Sequence, residues 1–134
     1  MLATLGRFTL LVRDYDEALS FYRDVLGFEV LHDSIATDGQ RFLHIGMPAQ
    51  LGSAGLGLWL LTPGSEADRA LVGRQAGHQP LLVLYTTNCT ATASTLEQRG
   101  VKFRRPPRAE GATVFAHFED LYGNEIVLVE LARV

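Results

Sequence analysis

The chain is short of most features that announce a chemistry. It has one cysteine, Cys89, so no disulfide can form within it. That fits a reducing compartment, and a cytoplasmic location is the expectation. It has no basic block: 12 Lys and Arg stand against 15 Asp and Glu, a formal charge of −3. This argues against nucleic acid or an anionic membrane surface as partner. No apolar run approaches a membrane span, and the opening MLATLGRFTLLV carries too short a run for a signal peptide. There is no G-x-S-x-G and no phosphate loop. Gly55-Leu56-Gly57 is too short and badly placed for a dinucleotide-binding turn. The four histidines, His32, His44, His78 and His117, stand neither two apart, as on one strand face, nor four apart, as on one helix face. Those are the local spacings that build a metal cluster.

What is present is a clear strand–helix–strand signal at residues 12–30, VRDYDEALSFYRDVLGFEV. Asp14 can cap a helix, with Glu17 three residues on. Ala18, Tyr22 and Val25, with Leu19 and Leu26, make one apolar face at helical spacing. Gly27 can take the left-handed conformation that stops a helix. A strand at 7–12 precedes this helix, and strands at 28–35, 41–47 and 56–61 follow it. Asp38-Gly39 makes the hairpin turn within 36–40, 48–55 is a loop, and Thr62-Pro63-Gly64 ends the fourth strand.

Residues 65–77 read as a short, weakly apolar helix capped by Ser65 and interrupted at Gly73. The pattern then restarts. A strand at 81–85 leads to a helix capped by Asn88 and closed at Gly100. A strand at 101–104 ends at Pro106-Pro107, with Arg104, Arg105 and Arg108 in a solvated loop around them. Strands at 113–118 and 125–131 flank the turn DLYGN at 120–124. The closing glycines, Gly27 and Gly100, stand 73 residues apart, and the caps, Asp14 and Asn88, stand 74 apart. Such a period marks a duplicated βαβββ unit that cannot bury its sheet face alone. The expected organisation is one domain, 1–134, with modules at 4–62 and 80–132 and a bridge at 63–79.

Two stretches carry a family resemblance: VRDYDEALSFYRDVLGF at 12–28 and FEDLYGNEIVLVE at 118–130. With them the chain resembles the vicinal oxygen chelate superfamily of glyoxalases, extradiol dioxygenases, fosfomycin-modifying thiol transferases and bleomycin-resistance proteins. The second stretch departs from that family's F-x-D-P-D-G-N-x-x-E-L. The resemblance implies an α+β fold of two βαβββ modules forming curled mixed sheets around a cavity, often in a homodimer. It also implies a metal held by His and Glu from four strands. Those positions fall here on Arg7, Trp59, Leu81 and Val127. A guanidinium, an indole and two aliphatic groups offer no ligand set, so no metal and no cofactor are expected. Glu125 shares a face with Val127, whereas Glu130 does not. The four side chains are expected to converge on one cavity.

Other residues enter with two readings each. Thr9 lies two beyond Arg7 on the same strand face and is either a plain strand threonine or a donor to a ligand. Arg7 needs a partner, either an acid such as Glu125 or a ligand anion. Trp59 either fills the space of a lost ion or stacks on a planar ligand. Tyr85 packs or offers its hydroxyl. His44 and His117 occupy corresponding third strands, facing solvent or an interface, or lining the cavity as polar groups or a general base. Cys89 sits at a helix start, where a thiol pKa can fall, but no His or acid patterning supports a catalytic nucleophile there. Two functions remain. One is a metal-free binder of a small apolar or aromatic molecule, as in the bleomycin-resistance branch. The other is a lyase, isomerase or oxygenase of glyoxalase or dioxygenase type with a non-standard site.

Overall fold

The computed structural model describes residues 1–49 and 55–131. The chain divides into two units, Met1–Val72 and Gly73–Val134. The first runs β1 (Arg7–Leu11), α1 (Tyr15–Leu19) with a π-helical continuation (Ser20–Val25), β2 (Glu29–Ile35), β3 (Arg41–Gly46), β4 (Gly57–Leu61) and α2 (Glu66–Arg69). Its sheet has the order β1-β4-β3-β2, with β1 and β4 parallel and the other pairs antiparallel. The second runs β5 (Leu82–Thr86), α3 (Cys89–Gln98), β6 (Phe103–Glu110), β7 (Thr113–Glu119) and β8 (Glu125–Glu130). Its order, β5-β8-β7-β6, is the first sheet's order with each strand replaced by its counterpart, and β5 and β8 are again the parallel pair. The fold is α+β, built from two βαβββ units.

Alternation decides which sheet face is available for function. In the first unit Leu10, Leu43, Ile45, Leu58 and Leu60 are buried, as are Ala18, Leu19 and Tyr22 of the helix. In the second Ala116, Phe118, Ile126 and Leu128 are buried, with Cys89, Ala93 and Leu96 of α3. Side chains between these positions point to the opposite face. A slip of one residue would send five aliphatic side chains of the first sheet to the wrong side, which pins the register.

The first helix starts as its sequence dictates: Asp14 is extended and its carboxylate accepts from the Glu17 N–H at 2.8 Å. It does not continue as a regular α-helix to Gly27. From Ser20 the turn widens, and Leu26 N–H reaches the Phe21 carbonyl five residues back at 3.0 Å. The wider turn leaves Val25 and Leu26 only half-buried. Gly27 ends the helix at φ +88°, with open space where a side chain would sit. Gly27→Ala should therefore cost about 1 kcal/mol from backbone strain alone. The denaturant midpoint reads it, and an unchanged midpoint would mean the helix stop does not depend on that conformation.

The second module departs from expectation at β6, which does not end at Pro106-Pro107 but runs through them to Glu110. Arg104, Arg105 and Arg108 therefore lie on a strand. Two prolines are tolerated because β6 is an edge strand, and its pairing with β7 shifts register on both sides of Arg105. The bridge helix α2 is only four residues long, with the Ser65 hydroxyl accepting from Asp68 N–H at 3.1 Å. Part of the expected loop at 48–55, and residue 132 of the second module, lie outside the described residues.

Candidate functional site

On the face of the first sheet away from the buried row, four side chains stand in register across four strands: Thr9, Trp59, His44 and His32. The His44 ring lies 5.8 Å from the Trp59 ring and 5.5 Å from that of His32. Phe42 lies nearly parallel to Trp59, with planes 26° apart and centres 6.4 Å apart. The Trp59 indole N–H is buried and has no hydrogen-bond partner among the described residues. That is a costly state for a donor, and an acceptor brought to it removes the penalty.

Arg7 stands one row along, opposite Gly57, which in turn pairs with Gly46. Gly57 cannot be replaced cheaply, because a Cβ there meets backbone. A Cβ on Gly57 would stand 2.5 Å from the Ile45 carbonyl oxygen, and a Cβ on either glycine 2.8 Å from the Leu31 side chain. The bare backbone leaves room for Arg7 to reach across β4 to β3. Its Nε donates to His44 Nδ1 at 3.1 Å, and its Nη1 donates to the carbonyls of Gly6 at 2.9 Å and Gly55 at 2.6 Å. Arg7 thus has a protein partner on its own sheet, an imidazole nitrogen.

The pKa of His44 is lowered, by burial first, then by the Arg7 charge and by His32. The sign follows. Between the lowered folded value and the ordinary value of about 6.5 the unfolded chain binds more protons. The stabilisation is therefore complete above about pH 6.5 and is lost as pH falls towards the folded pKa. His44→Gln should flatten the fall in the unfolding midpoint over that window. An equally steep fall in the variant would assign the acid sensitivity elsewhere.

The second module places Val83, Val127, His117 and Arg105 in the corresponding row. Leu81 lies just before β5, not in it, and its N–H donates to the Glu125 carbonyl at 2.8 Å. The side chain in register with Val127 on β5 is Val83. Tyr85 pairs with Val129 and is 65% exposed. His117 Nδ1 lies 2.9 Å from Glu125 Oε1. Glu125 and Glu119 face one another across β8 and β7, a like-charge pair. Arg104 offsets it, 2.7 Å from Glu119 and 4.0 Å from Glu125. Its hydrogen bond holds the Glu119 carboxyl below the usual carboxylate range. Glu130 points elsewhere and accepts from the Cys89 N–H at the start of α3, at 2.9 Å. The Cys89 thiol has its pKa raised, by burial first and then by the nearby Glu130 charge. It is not an activated nucleophile.

Of the predicted residues, the structure groups Arg7, Thr9, Trp59 and His44 on the first sheet, and Val127 with His117 on the second. His32, Phe42 and Leu31 belong to the first group and were not anticipated. A signal existed for two of them. The hairpin about Asp38-Gly39 pairs His32 with His44 and Ser34 with Phe42 by counting outward from the turn. Among the described residues no group of three or more His, Cys, Asp or Glu is placed to hold a metal ion. The donor chemistry of Arg7, Trp59, Leu81 and Val127 does not fit the metal that the resemblance implies.

Two βαβββ units, each with a mixed four-stranded sheet of the same strand order, define a class of duplicated α+β proteins. The comparisons give that class a name. The model of the Glyoxalase/Bleomycin resistance protein/Dioxygenase superfamily matches residues 4–128, and the chain belongs to that superfamily. An uncharacterized protein of Shewanella frigidimarina (strain NCIMB 400) is 33% identical over 132 residues, covering 98% of this chain and 96% of its own. The crystal structure of UcmS2 superposes with a TM-score of 0.81 at 30% identity, covering 98% of this chain and all of that one. TnmS3, an antibiotic binding protein from Streptomyces sp. CB03234, superposes with a TM-score of 0.76 at 25% identity, covering 98% of each chain.

Proposed function

We propose that this protein binds a small apolar or aromatic molecule without a metal centre, on the sheet face carrying Thr9, Trp59 and His44. One observation carries the reading. At the strand position where the family's chemistry calls for a metal-binding acid stands Trp59, its ring beside Phe42 and its N–H buried without an acceptor. Aromatic surface supplies area, and sparse donors supply orientation, which is the make-up of a small-molecule site. The likeness to an antibiotic binding protein supports it. Arg7, Tyr85, Leu81, His117 and Val127 complete the proposed ligand-binding set. The competing reading, an enzyme of lyase, isomerase or oxygenase type, has one observation in its favour. His117 held by Glu125 is an imidazole oriented as a general base would be.

Metal analysis of protein purified without a histidine tag separates the two. The binding reading expects only trace metal and undiminished ligand binding after chelation. Stoichiometric, tightly held iron, nickel, zinc or manganese would favour the enzyme.

The proposal includes a homodimer and a cytoplasmic location. Each sheet has two edge strands, and Phe8, Ile35, Val83 and Tyr85 on those edges are exposed. Light scattering should give twice the chain mass at micromolar concentration, and a monomer mass would reject the dimer. Among the described residues no helix is long and apolar enough to cross a membrane.

A further inference from the structure

We propose that the two modules hold their corresponding histidines in opposite tautomers, so that neutral His44 presents a hydrogen-bond donor at Nε2 and neutral His117 an acceptor. Arg7 and Glu125 are the positioning residues. His44 and His117 stand 73 residues apart, at the spacing of the repeat, and each lies in register with the strand before or after it: His44 with Trp59, His117 with Val127. Their Nδ1 atoms meet opposite chemistries.

A guanidinium has five N–H donors and no acceptor. The Arg7 Nε–H at 3.1 Å from His44 Nδ1 therefore requires a lone pair there, which puts the ring proton on Nε2. A carboxylate at neutral pH has acceptors only. Glu125 Oε1 at 2.9 Å from His117 Nδ1 therefore requires the proton on Nδ1, leaving the lone pair on Nε2. Among the described residues neither Nε2 has a hydrogen-bond partner, so each remains available. The third strand of each module carries an imidazole, and its polarity is set from different places: by Arg7 on β1 in the first module and by Glu125 on β8 in the second.

This deepens the proposed function and rests on it for its consequence. Two N–H donors on the first sheet, from His44 and Trp59, suit carbonyl or ether oxygens of a ligand. The His117 lone pair suits a hydroxyl hydrogen. A flat molecule with hydrogen-bond-accepting oxygens is the class that suits the first sheet's groups.

The test reads the free protein, so a failed ligand does not obscure it. Histidine ring nitrogens are labelled with 15N and observed by long-range 1H–15N correlation at about pH 8.5, above the ordinary imidazole range. Loss of a ring's signals in His44→Gln and His117→Gln assigns the two. The expected pattern is a protonated-type Nε2 with a bare Nδ1 for His44, and the reverse for His117. Arg7→Met should convert His44 to a rapid average of both tautomers while leaving His117 unchanged, and Arg7→Lys, which keeps a donor, should restore the Nε2–H form. Glu125→Ala should release His117 alone. Matching tautomers, inverted tautomers or averaged signals in the native protein would overturn the proposal. So would His44 remaining locked in Arg7→Met with a well-dispersed amide spectrum. Absence of ligand binding with the expected tautomers would overturn the functional reading only.

Discussion

Trp59→Ala is expected to weaken binding of a neutral flat aromatic probe, methyl 6-hydroxy-2-naphthoate, by at least about tenfold. An aromatic pair contributes roughly 0.5–1.5 kcal/mol beyond its buried area, and the loss of indole surface adds to that. The buried indole N–H supplies a second contribution, because a ligand oxygen that meets it relieves an unpaired donor. Phe42 remains in the variant and keeps one aromatic surface, so binding should fall without vanishing. Glu97→Ala, an exposed change on α3, should leave affinity unchanged. Calorimetric titration of the three proteins measures both effects. Equal affinity in Trp59→Ala and the native chain would place the ligand away from this row.

Asp120→Ala is expected to lower stability by roughly 2–4 kcal/mol. Asp120 is only 5% exposed, and its carboxylate accepts from Tyr122 N–H and Asn124 N–H at 2.9 Å each and from Asn124 Nδ2 at 2.8 Å. Removing it leaves three donors without that acceptor in a buried turn. Asp120→Asn retains one carbonyl acceptor and should recover part of the loss. The turn joins β7 to β8, so it sets the register in which Glu125 meets His117. Denaturant unfolding checks the prediction, and a loss below about 0.5 kcal/mol would mean that the turn is held by its backbone alone.

Local signals in the sequence located most elements because their causes are local. Asp14, Ser65 and Asn88 cap helices through their own side chains. Gly27, Gly39 and Gly100 adopt the positive φ that their positions demand. The repeat spacing then carried the module order. What was not legible depends on neighbours distant in the chain. Arg7 and His44 are 37 residues apart and meet only through the pairing of β1 and β3 with β4. The widened turn after Leu19 still buries Ala18, Leu19 and Tyr22, so the apolar pattern does not reveal it. Pro106-Pro107 reads as a strand end, yet an edge strand with shifted pairing accommodates both. The direction in which the Cys89 pKa moves also depends on its burial, which its place at a helix start does not reveal.

A metal-free aromatic site at Trp59 can be observed at one atom, because the chain has a single tryptophan and hence a single indole N–H resonance. Metal-stripped 15N-labelled protein titrated with methyl 6-hydroxy-2-naphthoate, in the presence of chelator, observes that resonance directly. The account predicts a saturable shift of the indole N–H to lower field, as the unpaired donor gains an acceptor, together with shifts at His44 and Thr9. An indole resonance that stays unmoved at saturation, or that moves only after a divalent metal is restored, would contradict it.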